Sequence, residues 1–213
     1  MSETLTRGRL IVLEGIDGSG TTTQTECLVE HLRRRGRTAI PTREPSAGPI
    51  GRLLREALLG QHRMPRGSSM DGRTMALLFA ADRLDHLQRE VEPLLAEGTD
   101  VVSDRYLMSS LAYQAEEADR EWVAVLARGV RPADLTILLD IPVEVAAQRR
   151  QLAGRPVERY DADSFLARVA DNYRRLARAD ATAVILDGSA ARDQVTAAIV
   201  ATVEAQLASS VTP

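Results

Sequence analysis

Short runs of aliphatic and β-branched residues alternate along the chain with longer stretches whose apolar positions recur every three to four residues. That alternation predicts βαβ units and a parallel sheet. Strands are predicted at residues 10–13, 38–42, 100–103, 135–140 and 183–186. Helical patterns cover residues 22–35, 50–59, 72–97, the stretch after the third strand to about 129, a segment from 143, then 164–179 and 190–208. Gly36 stops the first helix, Pro93 predicts a kink near the end of the long third one, and an interruption is expected near Ala118 and Asp119. Residues 61–71 and 154–163 read as polar loops. No repeat, low-complexity tract or linker divides the pattern, so residues 1–213 are expected to form one domain. The predicted fold is α/β, a three-layer sandwich with a five-stranded parallel sheet between helices. Ligands of such sheets bind beyond the carboxyl ends of the strands, which directs attention to the residues that follow each one.

With 213 residues, the chain is long enough to bury a core without disulfide or metal staples. Its one cysteine, Cys27, cannot form an intramolecular bridge, and no apolar run approaches the ~18 residues of a membrane span. The N-terminus lacks the apolar core of a signal peptide, so a cytoplasmic location and no membrane partner are expected. A net charge of −3 argues against general nucleic-acid binding. All 27 basic residues are arginine. Any phosphate chemistry must therefore rely on arginine forks, backbone amides and metal rather than on an ε-amine.

After the first strand comes Gly15-Ile16-Asp17-Gly18-Ser19-Gly20-Thr21-Thr22, followed by Thr23. It matches the phosphate-binding loop G-x-x-x-x-G-K-[ST] in both glycines, in spacing and in the final hydroxyl, with Thr21 at the lysine position. The glycines let backbone N–H groups wrap a phosphate, and the helix N-terminus adds favourable partial charge. Thr22 is the candidate Mg²⁺ ligand. The second strand ends in Thr42-Arg43-Glu44-Pro45 and the third in Ser103-Asp104-Arg105-Tyr106, each setting an arginine beside a carboxylate at the sheet mouth. Asp104 could bind a metal-coordinated water or position a nucleophilic oxygen. Phe79 and Arg83 share a helix face, suited either to stacking a base and bonding its edge or to a core phenylalanine beside a solvated arginine. Arg149, Arg150, Arg155 and Arg159 form either a solvated charge run or a lid that brings arginines to a transferring group. Arg33, Arg34 and Arg35 face the end of the first helix dipole and need no function. His31, His62 and His86 have no zinc-ligand spacing.

The segments LEGIDGSG at 13–20, TREP at 42–45, FAADRLDH at 79–86 and DRYLMSSLAYQ at 104–114, in this order, resemble the thymidylate kinases of the nucleoside monophosphate kinase family. The resemblance covers residues 10–186. It implies Mg²⁺-ATP as phosphoryl donor, dTMP as acceptor and a homodimer. It also implies roles by position. Residues 15–23 hold the ATP phosphates, and Thr22 and Asp104 attend the metal. Phe79 stacks on the base, Arg83 bonds its edge, Ser110 approaches it and Tyr113 closes on the sugar. Arg105 and Arg55 hold the acceptor phosphate, Asp17 lies near the sugar hydroxyl and the phosphates, and Glu44, Pro45 and Gln114 complete the acceptor site. Gly18 after Asp17 resembles the members whose catalytic arginine lies in the lid, at about residues 149–162. Arg149, Arg155 and Arg159 are its candidates, with Arg149 expected to reach inward and replace the missing lysine. Two alternatives remain open: a catalytically weak, regulatory nucleotide-binding protein, and a kinase of another deoxynucleotide.

Overall fold

The computed structural model describes residues 7–62, 64–154 and 158–209. Strands β1 (Leu10–Glu14), β2 (Ala39–Arg43), β3 (Asp100–Asp104), β4 (Leu135–Asp140) and β5 (Ala183–Asp187) form one parallel sheet in the order β2-β3-β1-β4-β5. Every residue of β1 is buried, the pattern of a strand covered on both faces. The chain leaves β1 toward β2 on one side and returns from β3 to β4 on the other. The crevice at their carboxyl ends is therefore the switch point where ligands bind.

The helices are α1 (Thr21–Arg34), α2 (Pro49–Leu58), α3 (Gly72–His86), α4 (Glu92–Ala96), α5 (Leu107–Tyr113), α6 (Arg120–Leu126), α7 (Val143–Ala153), α8 (Asp163–Ala179) and α9 (Arg192–Ser209). On one face, Leu28, Val29 and Leu32 of α1 and Val195, Ile199 and Val203 of α9 pack against Ile11, Leu13, Val102 and Ile137. On the other face, α2, α3, α5 and α8 share a core around Leu54, Met75, Leu166 and Tyr173. Beside it, Leu87, Val91 and Leu95 cover Leu10, Val12 and Val101. Among the described residues, no helix is long and apolar enough to cross a membrane.

The predicted helix 72–97 is divided in the structure. Between α3 and α4 the chain makes a wide π turn over Leu87–Val91, in which the Glu92 N–H bonds the Leu87 carbonyl. Pro93 has no N–H to offer and would crowd the preceding turn of a regular helix, and the wide turn absorbs the mismatch. The helical stretch expected to run to residue 129 also divides. A short 3₁₀ turn at Gln114–Glu116 follows α5, and Asp119 then caps α6 by accepting the Trp122 N–H at 2.8 Å. The polar loop at 61–71 contains a further 3₁₀ turn at Pro65–Gly67.

Candidate active site

The turn from β1 into α1 is shaped by its glycines. Gly18 has φ 95°, and a Cβ there would lie 2.5 Å from the Ala146 carbonyl, so only glycine lets the turn pass under α7. Gly20, with φ 98°, caps α1 in the left-handed region and points the first amides of the helix at the crevice. Thr21 is buried. Thr22 Oγ1 donates to Asp104 Oδ2 from across the sheet end, while Asp104 Oδ1 is buried with no hydrogen-bond partner. A hydroxyl oxygen next to an unsatisfied carboxylate oxygen is a donor set that fits a small, hard, oxygen-seeking cation. Behind the loop lies a second cavity of about 560 Å³, lined by Ser19, Gly20, Thr23, Gln24, Arg149, Gly188 and Arg192.

On the other side of Asp17 opens a cleft of about 520 Å³. It is lined by Asp17, Glu44, Pro45, Phe79, Arg83, Arg105, Ser110, Tyr113 and Gln114, residues drawn from four separate stretches of the sequence. Arg83 is 2% exposed, which removes the solvated-arginine reading. Its Nε donates to Glu44 Oε2 at 3.1 Å and its Nη2 to Ser110 Oγ at 2.5 Å. Phe79 is only partly buried and packs against the core around Met75. The Tyr113 hydroxyl and Gln114 Oε1 are buried without partners in the wall of this cleft. Native proteins rarely leave such atoms unpaired, and here they are free to meet a ligand. Arg55 lies just outside, its two Nη groups donating to the carbonyls of Pro45 and Ser46 at 2.6 Å each.

Two buried carboxylates organise the cleft. Glu44 faces Arg83 on one side and His86 on the other, with His86 Nδ1 3.5 Å from Glu44 Oε1. His86 Nε2 meets Thr42 Oγ1 at 2.7 Å and lies 3.7 Å from Glu90. Burial pulls the His86 imidazolium down, but hydrogen bonds and charge from Glu44 and Glu90 outweigh it and raise the group to about 9. The second carboxylate, Glu14, ends β1. It accepts from the N–H groups of Tyr106 and Ser109 at 3.0 and 3.1 Å, and from the hydroxyls of Ser109 and Tyr173 at 2.6 and 3.1 Å. Burial pushes the Glu14 carboxyl up, against the downward pull of these donors and of Arg105.

Above Glu14 sits Arg105, the one non-glycine residue with positive φ (74°) among the described residues. That conformation costs on the order of 1–3 kcal/mol and persists only where neighbours over-determine it. Here the Arg105 N–H bonds the Leu13 carbonyl at 2.9 Å, its own carbonyl accepts from Ser103 Oγ at 2.6 Å, and the next amide is held by Glu14. The result turns the guanidinium into the cleft, where Nη2 donates to Asp17 Oδ1 at 2.8 Å and Nη1 reaches the Tyr173 hydroxyl at 3.3 Å.

The arginines between α7 and α8 separate. Arg149, expected to reach inward, instead donates to the carbonyls of Gly188 at 2.9 Å, Ser189 at 3.2 Å and Ser19 at 3.4 Å, so it borders the cavity behind the loop. Its partners lie on the turn that follows β5 and on the loop itself. Its neighbour Arg150 takes the inward place, donating to the Asp17 carbonyl at 2.8 Å and to Asp163 Oδ1 at 2.7 Å. Arg159 is held beside Tyr160 by a forked pair with Glu117, Nη2 to Oε1 at 2.9 Å. Arg155 lies outside the described residues.

Sequence reasoning passed over Glu14, His86, Ser109, Tyr160 and Tyr173 as parts of the site. Glu14 carries a readable signal, a charge at the end of an otherwise apolar strand. Tyr173 carries none, because its partner Glu14 lies 159 residues away.

A family model for thymidylate kinase matches residues 13–199. Among curated proteins, the chain is 46% identical over 171 residues to a probable thymidylate kinase of Pyrobaculum aerophilum, covering 79% of this chain and 82% of that one. It is 38% identical over 202 residues to a probable thymidylate kinase of Pyrococcus horikoshii, covering 94% and 98%. It is 39% identical over 188 residues to a thymidylate kinase of Burkholderia vietnamiensis, covering 82% and 86%.

Proposed function

The chain belongs to the thymidylate kinase family, and we propose the following division of labour for its phosphorylation of dTMP to dTDP by ATP. The observation that carries the assignment is the cleft in which Arg83, Phe79, Tyr113 and Arg105 converge beside the phosphate loop. Arg83, immobilised by Glu44 and Ser110, presents its fork to the base edge, and Phe79 supplies a ring face. The unpartnered Tyr113 hydroxyl and Gln114 carbonyl bond the nucleoside. Arg105 and Arg55 take the acceptor phosphate, with Asp17 ordering Arg105 and the sugar end.

On the donor side, the amides of residues 15–23 cradle the ATP phosphates, and the cavity bordered by Arg149 and Arg192 takes the purine. Thr22 and, through water, Asp104 would hold Mg²⁺, which neutralises charge on the donor phosphates. The transfer asks little covalent chemistry of the protein. Fixing the acceptor oxygen in line, excluding water and balancing charge suffice. With Gly18 following Asp17, the loop contributes no arginine of its own, and the charge comes from the segment at 149–162 acting as a lid. Arg150 docks that segment on the loop, Arg149 anchors ATP and Arg159 ties the segment to Glu117.

The protein acts as a cytoplasmic homodimer, each chain being one domain. Helix α3 turns Met75 and Ala76 into the core and leaves large apolar side chains on its outer face. Leu77 and Leu84 on its outer face are 51% and 56% exposed, beside Leu53 of α2 and Val125 of α6. A second copy packed there would cover them. Neither a regulatory pseudokinase nor a kinase of another deoxynucleotide is favoured, since relatives over most of the chain are thymidylate kinases. The test is ADP release, followed by a coupled assay, with dTMP, dUMP, AMP, CMP and GMP as acceptors. Turnover of AMP as fast as that of dTMP would sink the acceptor-site assignment.

A further inference from the structure

The phosphate loop has Thr21 where its motif carries lysine, and the chain holds no lysine that could reach in from elsewhere. A cation at the β- and γ-phosphates must come from arginine. Among the described residues, six arginines near the crevice are committed. Arg55, Arg149 and Arg150 donate to backbone carbonyls, and Arg83, Arg105 and Arg159 are paired with carboxylates.

Arg43 is different. It is the last residue of β2 and the register partner of Asp104 on β3, which in turn pairs with Leu13 at the end of β1. Neighbouring strands are about 4.8 Å apart, so Arg43 stands two strand spacings, about 10 Å, from the mouth of the phosphate loop. Alternation fixes its face. Ala39 packs with Leu28, Leu32 and Val102 on the α1 side, so Arg43, four residues on, shares that side with Asp104 and Thr22. Thr42, one residue earlier, points the opposite way to His86.

Arg43 is exposed, and among the described residues it makes no hydrogen bond or ion pair. Its strand neighbour Asp104 keeps one carboxylate oxygen unpaired. Two opposite charges on adjacent strands and on one sheet face would ordinarily close on each other. Left open, the carboxylate is available to a cation and the guanidinium to an anion.

We propose that Arg43 supplies the positive charge that Thr21 lacks, its guanidinium bonding the γ-phosphoryl group of ATP from the β2 side of the crevice. The guanidinium stays protonated throughout, so the contribution is electrostatic and involves no proton transfer. The proposal rests on the phosphoryl-transfer reading above. Wild-type turnover of dTMP tests that reading by itself, and the variants test Arg43.

The experiment compares wild type, Arg43→Ala, Arg43→Gln and Arg43→Ala/Thr21→Lys. Steady-state rates are measured with saturating ATP and varied dTMP, and affinities for ADP and for a non-hydrolysable ATP analogue by titration calorimetry. Because Arg43 is exposed, the variants should melt with wild type. The expected results are a fall in kcat of about 10²-fold in Arg43→Ala and Arg43→Gln, with the KM for dTMP within threefold. Affinity for the ATP analogue should fall while that for ADP holds, and adding Thr21→Lys should recover at least tenfold in kcat. A kcat within threefold of wild type in both single variants overturns the proposal. So does equal loss of affinity for ADP and the ATP analogue, or failure of Thr21→Lys to recover activity.

Discussion

His86 makes stability depend on pH in a direction opposite to that of most buried histidines. Its ring is 2% exposed, yet Glu44, Glu90 and the Thr42 hydroxyl face it closely enough to keep it protonated to about pH 9. In the unfolded chain it titrates near 6.5, so between these values the folded state binds the extra proton. A raised pKa stabilises fully below the unfolded value, and its contribution disappears as pH climbs through the folded one. The difference of about 2.5 units corresponds to on the order of 3 kcal/mol, present below pH 6.5, shrinking from there and gone above 9. Arg83 shares Glu44 with His86, so losing the proton also leaves Glu44 with one cation instead of two. Urea unfolding of wild type and His86→Asn from pH 6 to 10 isolates the effect, because the other titrating groups are common to both. The wild-type advantage should be largest at pH 6 and vanish by about pH 10, with the KM for dTMP rising over the same interval. Parallel stability curves for the two proteins would refute the reasoning.

Arg105→Ala should raise the KM for dTMP roughly 10–100-fold, the worth of a charged hydrogen bond or two, while the melting temperature stays near wild type; initial-rate kinetics and a thermal melt check both. Discrimination of dTMP from dUMP should be modest, about 10–200-fold in kcat/KM, since a single methyl in an apolar pocket decides it. Arg149→Ala should raise the KM for ATP and spare kcat at saturating ATP, because its three partners border the cavity behind the loop; a kcat effect above about tenfold would return it to the crevice. Leu84→Glu should convert the proposed dimer to monomer in sedimentation experiments, given that this side chain is 56% exposed on the outer face of α3.

The sequence made the sheet and the phosphate loop legible because both are written in contiguous residues. An apolar run fixes β1, and the glycine spacing fixes the turn into α1. It also held Phe79, Arg83 and Arg105, which the structure brings into one cleft, since the first two share a helix face and the third follows a strand. Long-range geometry was not legible. Whether Arg149 or Arg150 turns inward depends on the rotation of α7 over the loop, and adjacent residues on a helix point about 100° apart. The division of the helix at Leu87–Val91 was flagged by Pro93, but its form, a wide turn ahead of the proline, is a backbone solution that the residue types do not spell out. The role of Tyr173 depends on α8 crossing beneath Arg105, which no local pattern records.

The two buried carboxylates organise opposite ends of the cleft, which meet where Arg83 Nη2 donates to the Tyr106 carbonyl at 3.4 Å. Glu14, through Tyr106, Ser109 and Tyr173, belongs to Arg105 and the phosphate end. Glu44, through Arg83 and His86, belongs to the base end, and the hydrogen bonds of one carboxylate share no donor group with those of the other. On the proposed roles, base preference can therefore drift by substitutions around Glu44 while the donors to Glu14 stay in place, as long as Tyr106 is kept. An engineer seeking to phosphorylate unnatural pyrimidine analogues would vary Phe79, Arg83, His86 and Ser110 and leave Glu14 and its donors untouched.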